Sequence, residues 1–216
     1  EARHSRHTLD MAIEIPIPPV ARVLKAQAFA GLLGLVLCVP MATVGTLVHE
    51  VGHILVAEGL GYPATLHYGW MNHEPAPDRH AAWILLGGPG MNMAIGTLGA
   101  LLLAVWVRGG RQRLWLGAVA FLATLFWSRQ LFNAVMWTAA GAGTAQGDEV
   151  RLAALWGVNL GAFLVPTGVV ASGFCGWACV GLVGWRRSPG LAVGGVMGSL
   201  LGFAGWYGWL GPVVLP

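Results

Sequence analysis

The sequence predicts an all-α polytopic membrane protein of about five transmembrane helices, with a short hairpin or re-entrant loop after the first. Composition is the first ground: of 216 residues, 56% are hydrophobic and only 10% are charged, a balance foreign to soluble domains. The second is segmentation, because the apolar residues fall in runs long enough to cross a bilayer and the connectors between them are short. The third is glycine, 33 in all, which in lipid lets helix backbones approach where no hydrophobic force drives association. A formal charge of +3 is too small to support a nucleic-acid partner. Cys38, Cys175 and Cys179 all lie in apolar runs and read as small packing residues rather than a disulfide framework.

In chain order, Glu1 to Pro19 is polar and then proline-rich, which fits an extramembrane tail better than a span or a cleavable leader. His4 and His7 belong to that solvated tail. The first span is predicted from Ala26 to Gly61, with Pro40 as a kink. Tyr62 to His80 mixes β-favouring residues with prolines and reads as a hairpin or a partly embedded loop. Further spans are predicted at Ala81 to Val107, Leu114 to Ala139, Leu152 to Trp185 with Pro166 inside, and Leu191 to Leu210. Between the third and fourth, Ala140 to Val150 carries glycines and alanines that break the helix ahead of Asp148 and Glu149. Three regions follow: a tail over 1–25, a catalytic membrane core over 26–156, and C-terminal helices over 157–216. Arg3, Arg6, Arg22, Lys25, Arg108, Arg111, Arg113, Arg186 and Arg187 share one side of this arrangement, against Arg79 and Arg151 on the other. The positive-inside rule then places the amino terminus in the cytosol. Tryptophans 106, 115, 137, 156, 185, 206 and 209 fall near span ends, as an interfacial belt requires.

The chemistry-bearing residues sit in the first span, where His49, Glu50 and His53 form an HExxH in an otherwise apolar run. Histidines four apart project from one helical face and can hold one Zn²⁺ per chain through ring nitrogens, with Glu50 beside them as the proton-transferring base. Strongly polar groups at a membrane helix centre cost about 2.5 to 3.5 kcal/mol each, so three in one turn call for a compensating cation. A catalytic zinc usually takes three protein ligands. Glu58 lies on the opposite face of the helix. His67, His73, Glu74 and His80 in the loop are candidates, as are Asp148 and, after it, Glu149. Asp148 is the stronger of these because it follows the glycine-rich break at the start of a span, although an aspartate there also caps helices, and both roles stay open. Arg129 interrupts the third span and reads as a structural partner of Asp148 or Glu149, with a hold on a substrate carbonyl or snorkelling as alternatives.

HEVGH at 49–53, GGPGMN at 87–92, and Phe132-Asn133 followed by an aspartate together resemble the site-2 protease family of intramembrane zinc metalloproteases, over 31–156. The resemblance implies that His49, His53 and Asp148 bind zinc and that Glu50 is the general base. It also implies that Gly88, Pro89 and Asn92, with Phe132 and Asn133, shape the substrate cleft, so that Asn92 and Asn133 are substrate-binding residues. The chain departs from the family around the acid, where no proline lies between Asn133 and Asp148 and Glu149 stands in place of a glycine. The implied activity is cleavage of transmembrane segments of other membrane proteins inside the bilayer, with a regulatory partner or homo-oligomer left open. The competing expectation is a non-proteolytic metal-binding membrane protein or a transporter on the same scaffold. Transport calls for polar groups along several spans, and the last two spans carry little beyond Asn159, Thr167, Ser172 and Ser199.

Overall fold

The computed structural model describes residues 19–140 and 147–215. Helix α1, Pro19–Gly59, runs 41 residues and passes through Pro40 without a break, so the predicted tail gives up its last residues to the helix. At 1.5 Å per residue it is about 60 Å long, twice the hydrocarbon thickness, and its HExxH lies in the final turns. Gly61, at φ +87°, ends the helix and turns the chain into a hairpin. Strands β1, Ala64–Leu66, and β2, Met71–His73, pair antiparallel with Thr65 opposite Asn72. Helix α2, Asp78–Arg108, then returns across the bundle with Pro89 inside it.

The third predicted span is two helices in series, α3, Leu114–Thr124, and α4, Ser128–Ala140, joined by a 3₁₀ turn at Leu125–Trp127. The glycine-rich break ahead of the acidic pair falls largely on residues 141–146, outside those described. The predicted fourth span is not continuous. Helix α5, Asp148–Trp156, stops at Gly157, whose φ of 63° suits a left-handed cap. Asn159 then caps a new helix, α6, Leu160–Val183, its side-chain oxygen accepting from the Gly161 N–H at 2.8 Å. Only α6 crosses, and α5 stays short. Helix α7, Ser188–Gly205, continues through a π turn at Trp206–Leu210 into α8, Gly211–Val214. Among the described residues five helical stretches are long and apolar enough to span a bilayer, and the protein is an all-α, multi-pass membrane protein.

Two close approaches set the frame. On α7, Gly190, Gly194, Gly198 and Gly202 lie so near α1 that a methyl at each would strike the carbonyls of Gln27, Gly31, Leu35 and Val39 in turn. Both series advance four residues at a time in the same direction, so α1 and α7 run parallel in one tight seam. Gln27 closes its lower end, donating to the Arg186 carbonyl and accepting from the Gly190 N–H. Gly52 of α1 and Gly87 of α2 form the second approach, each facing the other's carbonyl. The apolar core, with Ala30, Cys38, Leu103, Trp106, Phe121, Cys179 and Leu191, occupies the half of the bundle near the start of α1 and the end of α2. The polar residues of α1 and α2 gather in the other half. There the hairpin is tied to the end of α7: Trp206 Nε1 donates to the Tyr68 carbonyl at 2.6 Å, and Tyr68 and Tyr207 meet edge to face.

Candidate metal centre

Three segments build the centre. The last turns of α1 present His49 and His53 on one face, both buried, with rings nearly perpendicular and centroids 4.7 Å apart. The first residue of α5 presents Asp148. Its Oδ2 lies 2.7 Å from His49 Nε2 and 3.2 Å from His53 Nε2, and the two Nε2 atoms are 3.1 Å apart. Gly147, not Asp148, takes the cap position of α5, and no side chain caps that helix. The aspartate is thus turned toward the histidines and not toward its own helix.

The far side of each imidazole is held from α2. His53 Nδ1 lies 2.6 Å from the Ile84 carbonyl, which can only accept, and 3.2 Å from the Gly88 N–H, which can only donate; the shorter contact puts the proton on Nδ1 and the lone pair on Nε2. This reach requires the two backbones to touch, which the facing glycines at 52 and 87 allow. His49 Nδ1 faces the Asn92 side-chain amide at 3.3 Å, and the buried Asn92 oxygen has no partner. Turning that amide over sets its oxygen against His49 Nδ1–H and satisfies both groups. His49 Nε2 then also carries a lone pair. Two imidazole lone pairs and a carboxylate oxygen converging within 3.2 Å repel one another unless a cation sits among them. A circle through the three donor atoms has a radius of about 1.7 Å, less than the roughly 2.0 to 2.2 Å of zinc–nitrogen and zinc–oxygen bonds, so one ion can reach all three. Gly88 keeps that space open, because a methyl there would meet both Nε2 atoms. The donor set fits a divalent metal, and among the described residues it is the one such cluster.

Burial alone would push Asp148 toward its neutral form; without an ion among the three donors, protons on the His49 and His53 Nε2 atoms would supply the hydrogen bonds and charge that outweigh it and hold the carboxyl well below the usual carboxylate range, and a bound cation would take their place. Glu149 beside it is buried and raised by that burial, and its Oε1 accepts from Asn133 Nδ2 at 3.0 Å. Glu50, 7% exposed, makes no hydrogen bond among the described residues, and its carboxylate senses the charges of His53, Asp148 and Arg129. Arg129 Nη2 stands 3.8 Å from Asp148 Oδ2.

The other sequence candidates lie elsewhere. His67 stacks on Trp70, His73 Nδ1 bonds the Glu74 carbonyl at 2.6 Å, and His80 Nδ1 meets the Tyr62 hydroxyl at 2.8 Å. Glu58 and Glu74 are exposed. His4 and His7 fall outside the described residues. Asn92, 1% exposed, sits behind His49 in the wall of the centre, and Asn133 braces the acidic segment through Glu149. The Ile84 carbonyl had no sequence signal, whereas Gly88 was marked by the GGPGMN segment, though not as the residue that leaves room beside both Nε2 atoms. No family model matches the chain, and no curated protein or solved structure matches it either, so its residues and their geometry carry the functional reading alone.

Proposed function

We propose that this chain is an intramembrane zinc metalloendopeptidase of the site-2 protease type that hydrolyses peptide bonds in transmembrane segments of other proteins. The observation that carries the reading is the convergence of His49 Nε2, His53 Nε2 and Asp148 Oδ2 beside an unpaired Glu50. Zinc held by these three would supply a Lewis acid that acidifies water and polarises a carbonyl. The chain's own groups do the rest. Asn92 and the Ile84 carbonyl keep both imidazoles in the ligating tautomer. Glu50 takes a proton from the attacking water and passes it to the departing amide nitrogen. An intact helix hides its carbonyls, so a substrate must be drawn out as a strand, and the outer edges of the two-stranded hairpin offer a template for it. The basic residues at the start of α1, after α2 and after α6 argue for a cytosolic amino terminus, with the centre in the opposite half of the bundle.

Transport has less support. Thr167 and Ser172 of α6 spend their donor hydrogens on carbonyls of their own helix, Phe163 at 3.0 Å and Gly168 at 2.8 Å, which leaves only their lone pairs for a passing solute. The test is Glu50→Gln in purified protein reconstituted with a model transmembrane peptide. Zinc is expected to stay at one equivalent per chain while cleavage falls by at least about a thousandfold. Full activity in that variant excludes Glu50 as the base, and bound zinc in a wild type that never cleaves returns the chain to the non-proteolytic reading.

A further inference from the structure

Arg129 is the second residue of α4, just after the 3₁₀ turn that divides the third span. Its 3.8 Å approach to Asp148 Oδ2 is an ion pair but is too long for a hydrogen bond. Among the described residues its side chain makes no hydrogen bond at all, and its Nε is buried without a partner. Neighbouring acids do not absorb it, since Asp148 is engaged by the two imidazoles and Glu149 by Asn133. One third of the side chain remains open to the outside. A guanidinium offers five donors in a rigid fork, and a charge in a membrane helix with those donors idle is costly unless an acceptor arrives. The fold therefore places a cation 3.8 Å from the Asp148 oxygen on which the triad converges, near enough for its charge to bear on His49, Glu50 and Glu149.

We propose that Arg129 stabilises the negative charge that develops on the scissile carbonyl oxygen, an assignment that rests on the peptidase reading above. In the step concerned, water oxygen bonds to the carbonyl carbon and the carbonyl π pair moves onto its oxygen, while Glu50 takes the proton released. Glu50 then delivers that proton to the amide nitrogen, the C–N bond breaks, and the oxygen's electron pair returns to re-form the carbonyl of the new carboxyl group. Arg129 meets the oxygen only while it is charged. Because the guanidinium is already in place, little rearrangement accompanies the charge, which is the condition under which one such donor is worth about 10² to 10³ in rate.

The experiment uses the full chain in detergent micelles, as wild type, Arg129→Ala, Arg129→Gln and Arg129→Lys. Four quantities are read for each: zinc per chain, kcat and KM on a model transmembrane peptide with a central Asn-Pro break, and the Kd of a phosphinic analogue of that peptide, which is tetrahedral and anionic. Arg129→Ala is expected to keep its zinc and its KM within about threefold, and to lose about 10² to 10³ in both kcat and phosphinate affinity. Arg129→Lys should recover about tenfold of the loss, since it keeps the charge but not the fork. Zinc loss in Arg129→Ala overturns the proposal by showing that the residue acts through Asp148. A raised KM at unchanged kcat overturns it in favour of ground-state binding. If Arg129→Ala does not fold, the Gln and Lys variants carry the same comparison. A wild type that holds zinc yet neither cleaves the peptide nor binds the phosphinate sinks the peptidase reading itself. Full cleavage by wild type matched by Arg129→Ala sinks the Arg129 assignment alone.

Discussion

Asn92 shows what a single residue contributes behind the ligands. With its amide turned over, its side-chain oxygen becomes the acceptor that leaves His49 with a lone pair on Nε2, and its burial at 1% exposure keeps water from substituting for it. Asn92→Leu, similar in volume and without an acceptor, should lower metal affinity about 10- to 100-fold. Asn92→Asp, which retains the acceptor, should lose less, and competition against a zinc-binding dye measures both. The reverse ranking would mean that the amide donates to His49. The histidine pair was legible in the sequence because its spacing matches the helical period, a property of one segment alone. The role of Asn92 was not, since it depends on how near α2 lies to α1, and that distance is set by the meeting of Gly52 and Gly87 from separate elements. Asp148 stood between: its type and its place at a helix start were visible, but whether it capped or ligated depended on where its side chain turned.

Among the elements, α7 has the least freedom to change. A side chain at Gly194 or Gly198 would have to displace an α1 carbonyl, a backbone atom that cannot step aside. Gly194→Leu should therefore destabilise by at least the 1 to 3 kcal/mol or so typical of overpacking, read as a lowered Tm or loss of monodisperse protein. Gly173 of α6 faces open space, and Gly173→Ala should be neutral or stabilising by up to about 1 kcal/mol. The sequence announced five spans because length and apolarity are additive along a run. It merged α5 with α6 because Gly157 and Asn159 stop and restart the helix inside an apolar stretch, and neither residue shifts a hydropathy window. The division of the third span at Leu125–Trp127 was hidden for the same reason.

At the scale of the whole molecule, an ion held by His49, His53 and Asp148 would tie α1 to α5 across about a hundred residues of chain, so its removal should be felt globally. With zinc at 100 times its Kd the folded state gains about 2.7 kcal/mol, and a chelator should lower Tm by roughly 5 to 10 °C, reversed by added zinc. No change in Tm would place the ion outside the fold. Sidedness is tested separately: in sealed spheroplasts a cysteine at Gly110 should be shielded from an impermeant maleimide and one at Asn72 should react, and the opposite pattern would invert the proposed orientation. The seam between α1 and α7 bears on how a visitor reaches the metal. Four backbone-to-backbone touches join those two helices along their length, so the gap between α1 and α7 is closed to a passing chain. On the opposite flank α4 rests on α6 with Ala134 against Gly168, and because Arg129 and Asn133 belong to α4, that packing helps to set where both stand relative to the acidic pair.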